Sequence, residues 1–190
     1  MKLAVDASRC LAELRRLAEF SDAPAPAVTR VLFTPPDLAA REYLTELFRD
    51  AQLQVRVDAV GNIFARWPGA EPQRPAVGTG SHTDAIPHSG MYDGTVGVLG
   101  ALEAVRALQR AGVQPRRSIE ILMFTSEEPT RFGLGCLGSR MLGGQLAPDR
   151  AAALVDEQGC DLEAVRREAG CIGDLASVRL PDDYYAHFVE

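Results

Sequence analysis

Five polar side chains in the middle of this 190-residue chain have the types and the spacing for metal-assisted chemistry. His82 and Asp84 are two residues apart, Glu127 and Glu128 are adjacent, and Asp93 lies between these pairs. Imidazole nitrogen and carboxylate oxygen are ligands that suit Mn²⁺ or Zn²⁺. A carboxylate can bridge two such ions, which activate a water and polarise a carbonyl group while a second carboxylate moves the proton. The combination of His82, Asp93 and Glu128 therefore indicates a partial two-metal site for hydrolysis.

Each of these residues has an ordinary structural explanation when it is taken alone. A histidine after a strand is more often a structural hydrogen-bonding group than a ligand, adjacent glutamates usually face solvent, and Asp93-Gly94 is typical of a turn. Two features favour the functional interpretation. Asp84 can accept the second ring N–H of a metal-bound His82, and two uncompensated carboxylates directly after a buried strand would be costly. Because neighbouring residues of an extended chain point to opposite sides, one glutamate could bind a metal while the other faces an attacking water.

Competing catalytic motifs are absent from the sequence. It contains no G-x-S-x-G, no G-x-x-x-x-G-K-[ST] and no H-E-x-x-H pattern. The dinucleotide-binding fingerprint is also missing, since Gly78 and Gly80 lack their third glycine. Cys136 could act as a nucleophile with His82 or His88, but no spacing supports this, and a buried thiol is the simpler interpretation.

Two predicted strands position the polar clusters. Residues 75–82 form a short strand rich in small residues, and the apolar run 119–124 is typical of a central parallel strand that is covered on both faces. Open α/β sheets bind ligands beyond the carboxyl ends of their strands, so the two clusters could face one crevice. The spacing of apolar residues predicts a helix over 95–111, between the two strands.

The N-terminal third of the chain predicts two helices and two half-buried strands. The first helix covers 8–20, the second opens at Thr34, and the strands cover 55–57 and 62–67. Residues 21–30 are a proline-containing loop that is too polar to be a core element. Strands that alternate with amphipathic helices predict an α/β fold built of packed layers.

Composition and charge exclude several classes of protein. The chain has 20 basic and 26 acidic residues, a net charge of −6, and a single lysine, Lys2. This balance argues against a nucleic-acid partner and against electrostatic binding to a membrane. No apolar stretch approaches the roughly 18 residues of a membrane span, and the N-terminus has no signal-peptide pattern. The four cysteines form no C-x-x-C pair, so we expect free thiols in a reducing cytoplasm.

Three motifs resemble a known enzyme family. Residues 78–104, GTGSHTDAIPHSGMYDGTVGVLGALEA, are similar to the first metal motif of the aminoacylase-like dinuclear metallohydrolases. FTSEEPTRFG at 124–133 and GSR at 138–140 narrow the resemblance to the allantoate amidohydrolase and N-carbamoyl-L-amino-acid hydrolase (hydantoinase/carbamoylase) family. Within it, the EEPTRF form and the segment 20–34, FSDAPAPAVTRVLFT, are similar to the ureidoglycolate amidohydrolases.

The resemblance implies a fold and a reaction. The fold would be a three-layer α/β/α catalytic domain of the zinc-exopeptidase-like type, with residues 1–190 as its N-terminal part. The reaction would be hydrolysis of a linear amide or ureido C–N bond. The preferred candidate is conversion of ureidoglycolate to glyoxylate, ammonia and CO₂ in purine degradation. N-carbamoyl-L-amino acids and allantoate are the alternative substrates. Two divalent metal ions are implied, Mn²⁺ in preference to Zn²⁺.

The resemblance also implies a role for each of the five polar residues. His82 would bind one metal ion, Glu128 would bind the other, and Asp93 would bridge both. Glu127 would be the general base, and Asp84 would orient His82.

Two further residues do not match a functional position of the family. Arg131 invites contact with a substrate carboxylate, but a structural ion pair is the favoured interpretation. His187 lies near a histidine of the next family motif without matching it.

The family pattern continues beyond Phe188-Val189-Glu190 with a Leu-His-Ile-Glu-Gln-Gly motif, whose histidine completes one metal site. A smaller lid and dimerisation domain and a C-terminal histidine for the other metal follow. The chain is therefore expected to be truncated within the catalytic domain, without its lid, and the full-length enzyme is expected to be a homodimer. The contrasting hypothesis is a non-catalytic remnant or interaction module, because each metal would have two protein ligands here, below the usual three.

Overall fold

The computed structural model describes residues 3–190, in which a mixed five-stranded sheet lies between two layers of helices. The helices are α1 (Ala7–Ala18), α2 (Pro35–Asp50), α3 (Thr95–Arg110), α4 (Leu137–Leu142), α5 (Pro148–Ala152) and α6 (Leu162–Glu168), and one 3₁₀ turn covers Leu175–Ser177. The strands are β1 (Val28–Arg30), β2 (Gln54–Val57), β3 (Ile63–Trp67), β4 (Ala76–His82), β5 (Ala85–Ser89), β6 (Ile119–Phe124) and β7 (Tyr185–Val189). Among these helices, none combines the length and apolar character needed to cross a membrane.

The order of strands in the main sheet is β2-β3-β6-β4-β7. β4 is parallel to β6 and to β7, whereas β2, β3 and β6 pair antiparallel. The predicted central strand is confirmed, but it is parallel to β4 and antiparallel to β3. The sequence did not reveal this difference, because burial on both faces makes a strand apolar whichever way its neighbours run. β4, β6 and β7 all end at one edge of the sheet, where His82 pairs with Phe124; we call this the carboxyl edge.

Alternate residues of the central strand pack into two separate cores. Ile121 and Met123 point into the layer formed by α1, α2 and α3, while Leu122 and Phe124 point into the layer formed by α4, α5 and α6. All four are less than a tenth exposed, and burying a side chain of this size contributes about 1.5–3 kcal/mol. The predicted three-layer α/β/α architecture is confirmed, and it fixes the carboxyl edge from both faces.

The predicted loop over residues 21–30 is wrong for its last three residues. They form β1, which pairs antiparallel with β5 in a separate two-stranded sheet, with Arg30 opposite Ala85. Arg30 is fully buried. A guanidinium group can lie inside the protein when main-chain carbonyl oxygens satisfy its N–H groups, and a pattern of polar residues does not reveal such partners.

Candidate active site

His82 ends strand β4 at the carboxyl edge and is buried. Its Nδ1 lies 3.0 Å from the main-chain oxygen of Asp84. A carbonyl oxygen accepts and never donates, so this contact assigns the proton of a neutral imidazole to Nδ1 and leaves the lone pair on Nε2. The ring therefore presents Nε2 as a free ligand atom.

The start of helix α3 covers this nitrogen atom closely. Gly94 precedes α3 with φ 64°, and a Cβ atom at this position would lie 2.4 Å from His82 Nε2. A side chain would therefore occupy the space in front of the imidazole, and glycine leaves that space open. Asp93, the predicted bridging ligand, is exposed directly before this glycine, and its main-chain oxygen accepts a hydrogen bond from the N–H of Thr95 at 2.6 Å.

Glu127 and Glu128 follow β6 after a sharp turn. Ser126 adopts a left-handed conformation with φ 49°, and the chain bends at Glu127 and Glu128, so the extended backbone that was expected at the two glutamates is absent. Instead, both main-chain amides point at one carboxylate. Asp84 Oδ1 accepts from the N–H of Glu127 at 3.2 Å, and Asp84 Oδ2 accepts from the N–H of Glu128 at 3.0 Å.

Asp84 thus joins the two polar clusters, in addition to its predicted role of orienting His82. Its carboxylate lies 3.7 Å from His82 Nδ1, too far for a hydrogen bond, so the imidazole is oriented by the main-chain oxygen of Asp84 instead. Asp84 is 2% exposed. Burial raises the pKa of this carboxyl group above its usual value, and the charge of a protonated His82 opposes that shift.

The carboxylate of Glu127 faces two groups. Its Oε2 lies 3.3 Å from His82 Nε2, and its Oε1 accepts from the thiol of Cys136 at 3.4 Å. The N–H of Cys136 also donates to the main-chain oxygen of Glu127 at 2.6 Å. Burial raises the pKa of the Cys136 thiol, and the contact with Glu127 raises it further, so the thiol keeps the proton that it donates.

Sequence reasoning assigned Cys136 to the interior as a simple thiol and missed this contact. The residue is half-buried and has φ 57° where it precedes helix α4. Cys136 lies nine residues after Glu127, and no sequence pattern indicates that the chain folds back to bring the two side chains together.

Two acceptor atoms face each other across the carboxyl edge. His82 Nε2 carries a lone pair in the assigned tautomer, and Glu127 Oε2 is an oxygen of an ionisable carboxylate. At 3.3 Å, two acceptors repel each other unless a proton lies between them or a cation lies nearby. Within residues 3–190, none of Asp84, Asp93, Glu127 or Glu128 forms an ion pair with an arginine; the salt bridges at this edge are those to His82.

The other residues considered from the sequence lie outside this cluster. His88 is exposed on β5 and donates its N–H to Thr29 Oγ1 at 2.9 Å, and His187 is exposed on β7 opposite Val77. Arg131 pairs with Asp156 at 2.9 Å, which is the structural ion pair that the sequence favoured.

The structure adds Glu190 to the carboxyl edge. It follows β7, which runs parallel to β4, and it lies near Glu127. Burial raises the pKa of Glu190, the charge of Glu127 raises it further, and the charge of a protonated His82 opposes these effects. Parallel pairing of β7 with β4 is what brings it there, and sequence reasoning did not predict that strand.

The cluster offers donors for a metal ion but not a complete, preformed site. No group of three or more histidine, cysteine, aspartate or glutamate side chains converges tightly enough to hold an ion within the part of the chain that the structure describes. His82 and Glu127 come together, Asp84 links them to Glu128 through the main chain, and Asp93 precedes Gly94, which lies against His82.

Comparison with known proteins identifies the family. The sequence pattern of peptidase family M28 matches residues 62–157, half of the chain and the part that contains all five predicted site residues. The chain belongs to peptidase family M28. This family and the related amidohydrolases depend on divalent metal ions.

Individual relatives are similar over nearly the whole chain. The ureidoglycolate hydrolase of Arabidopsis thaliana is 53% identical over 99% of this chain, and that of Oryza sativa subsp. japonica is 50% identical over 98%. An N-carbamoyl-L-amino-acid amidohydrolase of Paenarthrobacter aurescens is 42% identical over 88% of this chain. The crystal structure of AtUAH in complex with glyoxylate superimposes with a TM-score of 0.93 at 52% identity, over 98% of this chain and 45% of that one.

These matches confirm the resemblance to the allantoate amidohydrolase and N-carbamoyl-L-amino-acid hydrolase family. The chain spans about two fifths of the length of the curated relatives, 41%, 39% and 40% for the three proteins named above.

Proposed function

We propose that this chain is part of a divalent-metal-dependent hydrolase that cleaves the ureido C–N bond of ureidoglycolate. The observation that carries the proposal is the pair of facing acceptors, His82 Nε2 and Glu127 Oε2, among carboxylates that have no arginine partner. The similarity to ureidoglycolate hydrolases at 53% and 50% identity supports the choice of substrate.

The donor set fits divalent metal ions. One imidazole nitrogen and several carboxylate oxygens match the preferences of Mn²⁺ and Zn²⁺, and oxygen donors are in the majority, which favours Mn²⁺. We propose His82 and Glu128 as ligands of two separate ions and Asp93 as the ligand that bridges them. When bound, such ions polarise a substrate carbonyl and lower the pKa of a water molecule.

Residues of this chain transfer the proton and position the reacting groups. Glu127 is the general base: it takes a proton from the attacking water and returns it to the nitrogen that leaves the ureido carbonyl carbon. The thiol of Cys136 binds Oε1 of this carboxylate, so that Oε2 remains on the side of His82. Asp84 fixes both glutamates through their amides and fixes the His82 ring through its main-chain oxygen.

The same site chemistry also suits an N-carbamoyl-L-amino acid. The 42% identity to an N-carbamoyl-L-amino-acid amidohydrolase supports this second candidate, and allantoate is a third, supported by 31% identity to the allantoate amidohydrolase of Bacillus subtilis (strain 168). These reactions share an attack by water on a carbonyl carbon that is bonded to nitrogen, so the five site residues do not distinguish between them.

We further propose that residues 1–190 are the N-terminal part of a catalytic domain, and that the whole enzyme is a homodimer in the cytoplasm. All four cysteines are free, which suits a reducing compartment. The coverage of about two fifths of the relatives leaves room for the remaining ligands elsewhere in a longer protein.

Hydrolysis assays of the complete protein test the proposal. With Mn²⁺ present, we expect release of ammonia and glyoxylate from ureidoglycolate, with a higher kcat/KM than for allantoate or an N-carbamoyl-L-amino acid. Turnover of an N-carbamoyl-L-amino acid alone would establish the second candidate instead. No metal-dependent turnover of any of the three would favour the hypothesis of a non-catalytic remnant.

A further inference from the structure

Two arginines are the largest side chains that this fold buries completely. Arg30 is 0% exposed and Arg166 is 1% exposed. Burying a guanidinium group is costly unless its N–H groups find partners, so each of these side chains must hold a specific set of contacts.

The contacts of Arg30 are main-chain carbonyl oxygens from two distant segments. Its Nε donates to the oxygen of Phe20 at 2.9 Å, and one terminal nitrogen donates to the oxygen of Leu17 at 2.5 Å. Its other terminal nitrogen donates to the oxygen of Thr83 at 2.6 Å. Thr83 lies between His82 and Asp84, so the guanidinium group ties the end of helix α1 to the loop that carries the candidate site.

The main chain of Arg30 reinforces this link. β1 pairs with β5 so that Arg30 is opposite Ala85, the residue after Asp84. The loop from His82 to Ala85 is therefore held by a side-chain contact at Thr83 and by strand pairing directly after it.

The charge of Arg30 is not cancelled by a carboxylate in contact. No acidic side chain forms an ion pair with Arg30 in the described part of the chain, and its partners at the end of α1 supply the partial negative charge of a helix C-terminus. Burial lowers the pKa of the guanidinium group, while the charges of Asp37 and Asp84 raise it. Because an arginine in a protein stays protonated, a positive charge is fixed behind the site.

We propose that Arg30 is a positioning residue, which fixes the Thr83 peptide and thereby the arrangement of His82, Asp84 and the two glutamates. Asp84 is the connection: its main-chain oxygen accepts from His82, and its carboxylate accepts from the amides of Glu127 and Glu128. The functional meaning of this role depends on the proposed function, but the contact itself does not.

Arg166 provides the matched control. It is equally buried and also donates to three carbonyl oxygens, those of Ala59, Cys171 and Gly173. It differs in pairing with Glu163 and in contacting none of the site residues. Arg30→Met and Arg166→Met therefore both remove a buried guanidinium group, and only the first removes a contact to the site loop.

The test compares the two variants in the metal-free protein, with urea used to bring them to equal free energies of unfolding. We expect the amides of Glu127 and Glu128 to exchange hydrogen about tenfold faster or more in Arg30→Met than in Arg166→Met. In a titration with Mn²⁺, we expect affinity to fall by about 10–100-fold in Arg30→Met alone, the usual effect of losing a group that orients ligands. Arg30→Lys should recover part of both losses. Equal exchange and equal affinity in the two methionine variants would overturn the proposal.

A measurement on the unchanged protein decides the matter where the Arg30 variants do not fold. On addition of Zn²⁺, the NMR resonance of the Arg30 Nε–H should shift while that of Arg166 stays in place; a shift of neither or of both contradicts the proposal. Should the complete, unchanged protein bind no metal, the proposed function fails, and the exchange of the Glu127 and Glu128 amides in the folded variants still decides the role of Arg30.

Discussion

Acidic side chains are paired with arginines in one region of this molecule and have no arginine partner in another. In the ion-paired flank between helices α1 and α3, Glu103 accepts hydrogen bonds from Arg9 and Arg110, and Glu13 accepts from Arg106 at 2.8 Å. At the carboxyl edge, Asp84 and the three other candidate carboxylates have no arginine within ion-pair distance in residues 3–190.

We interpret the ion pairs of the flank as stabilising the fold and the unpaired carboxylates of the carboxyl edge as serving function. The chain has 19 arginines besides its single lysine, so cations are available, and the flank shows that the fold uses them. Leaving several carboxylates without an arginine partner at one edge raises the electrostatic energy of the folded protein, and a cation supplied from outside would lower it. The carboxyl edge is therefore the region where a bound cation has most to contribute.

The largest expected effect comes from replacing one carboxylate in each region. Glu127→Gln should lower kcat by about 10²–10⁴-fold, the usual contribution of a positioned general base, while metal binding is retained. Glu103→Gln, on the flank, should leave kcat within about twofold. Steady-state kinetics of the complete enzyme with ureidoglycolate measure both, and similar losses in the two variants would remove the functional distinction between the regions.

Metal ions should stabilise the carboxyl edge and not the flank. At a Mn²⁺ concentration of about 100 times Kd, linkage predicts a gain of about 2.7 kcal/mol in the free energy of unfolding. Urea unfolding with and without Mn²⁺ measures this gain. We expect this gain to fall in His82→Ala and in Glu128→Gln, because each variant removes a proposed ligand of one ion, and to persist in full in Glu13→Gln. Persistence in the first two variants would show that the ion binds elsewhere.

A smaller effect should follow from the thiol that contacts Glu127. Cys136→Ala should lower kcat about 2–10-fold with little change in KM, because a single hydrogen bond contributes about 0.5–1.5 kcal/mol. Cys136→Ser keeps a donor and should recover most of the loss. Equal kcat values in the alanine variant and the unchanged enzyme would show that the thiol does not orient the base.

The smallest expected effect is a loss of stability at low pH that arises from Glu103 on the flank. Burial opposes ionisation of Glu103 most strongly, but the N–H of Asp6 and the arginine partners outweigh it and hold the pKa of Glu103 below its usual value. Its stabilising contribution is therefore complete above the unfolded pKa of about 4.3 and is lost as the pH falls through the lower, folded pKa. Urea unfolding at pH 7 and at pH 3 should show a smaller loss of stability in Glu103→Gln than in the unchanged protein. An equal loss would assign the acid sensitivity to other groups.

Much of the layout that brings the candidate site together was predictable from the sequence. The apolar run 119–124 and the small residues of 75–82 are strong strand signals. The helix over 95–111 follows from the spacing of its apolar residues along one helical face. Since parallel strands end at one edge, His82 and the two glutamates were predictable neighbours. Their roles as ligands and base remain predictions.

The remaining features depend on tertiary contacts that leave no local pattern. β1 pairs with the distant strand β5, and its Arg30 donates to carbonyl oxygens 10 to 53 positions away. The left-handed Ser126 replaces the extended backbone that was expected before the two glutamates. The short helix α6 lies in a stretch with no clear period, and its buried Arg166 is satisfied by carbonyl oxygens of neighbouring segments.

Anomalous diffraction from crystals of the protein grown with Mn²⁺ tests the central claim most directly. The account predicts anomalous density at the carboxyl edge, within direct coordination distance of His82 Nε2 or of a carboxylate oxygen of Asp93 or Glu128. Density beside Glu13 or Glu103, or no density at the carboxyl edge when Mn²⁺ is saturating, would contradict it.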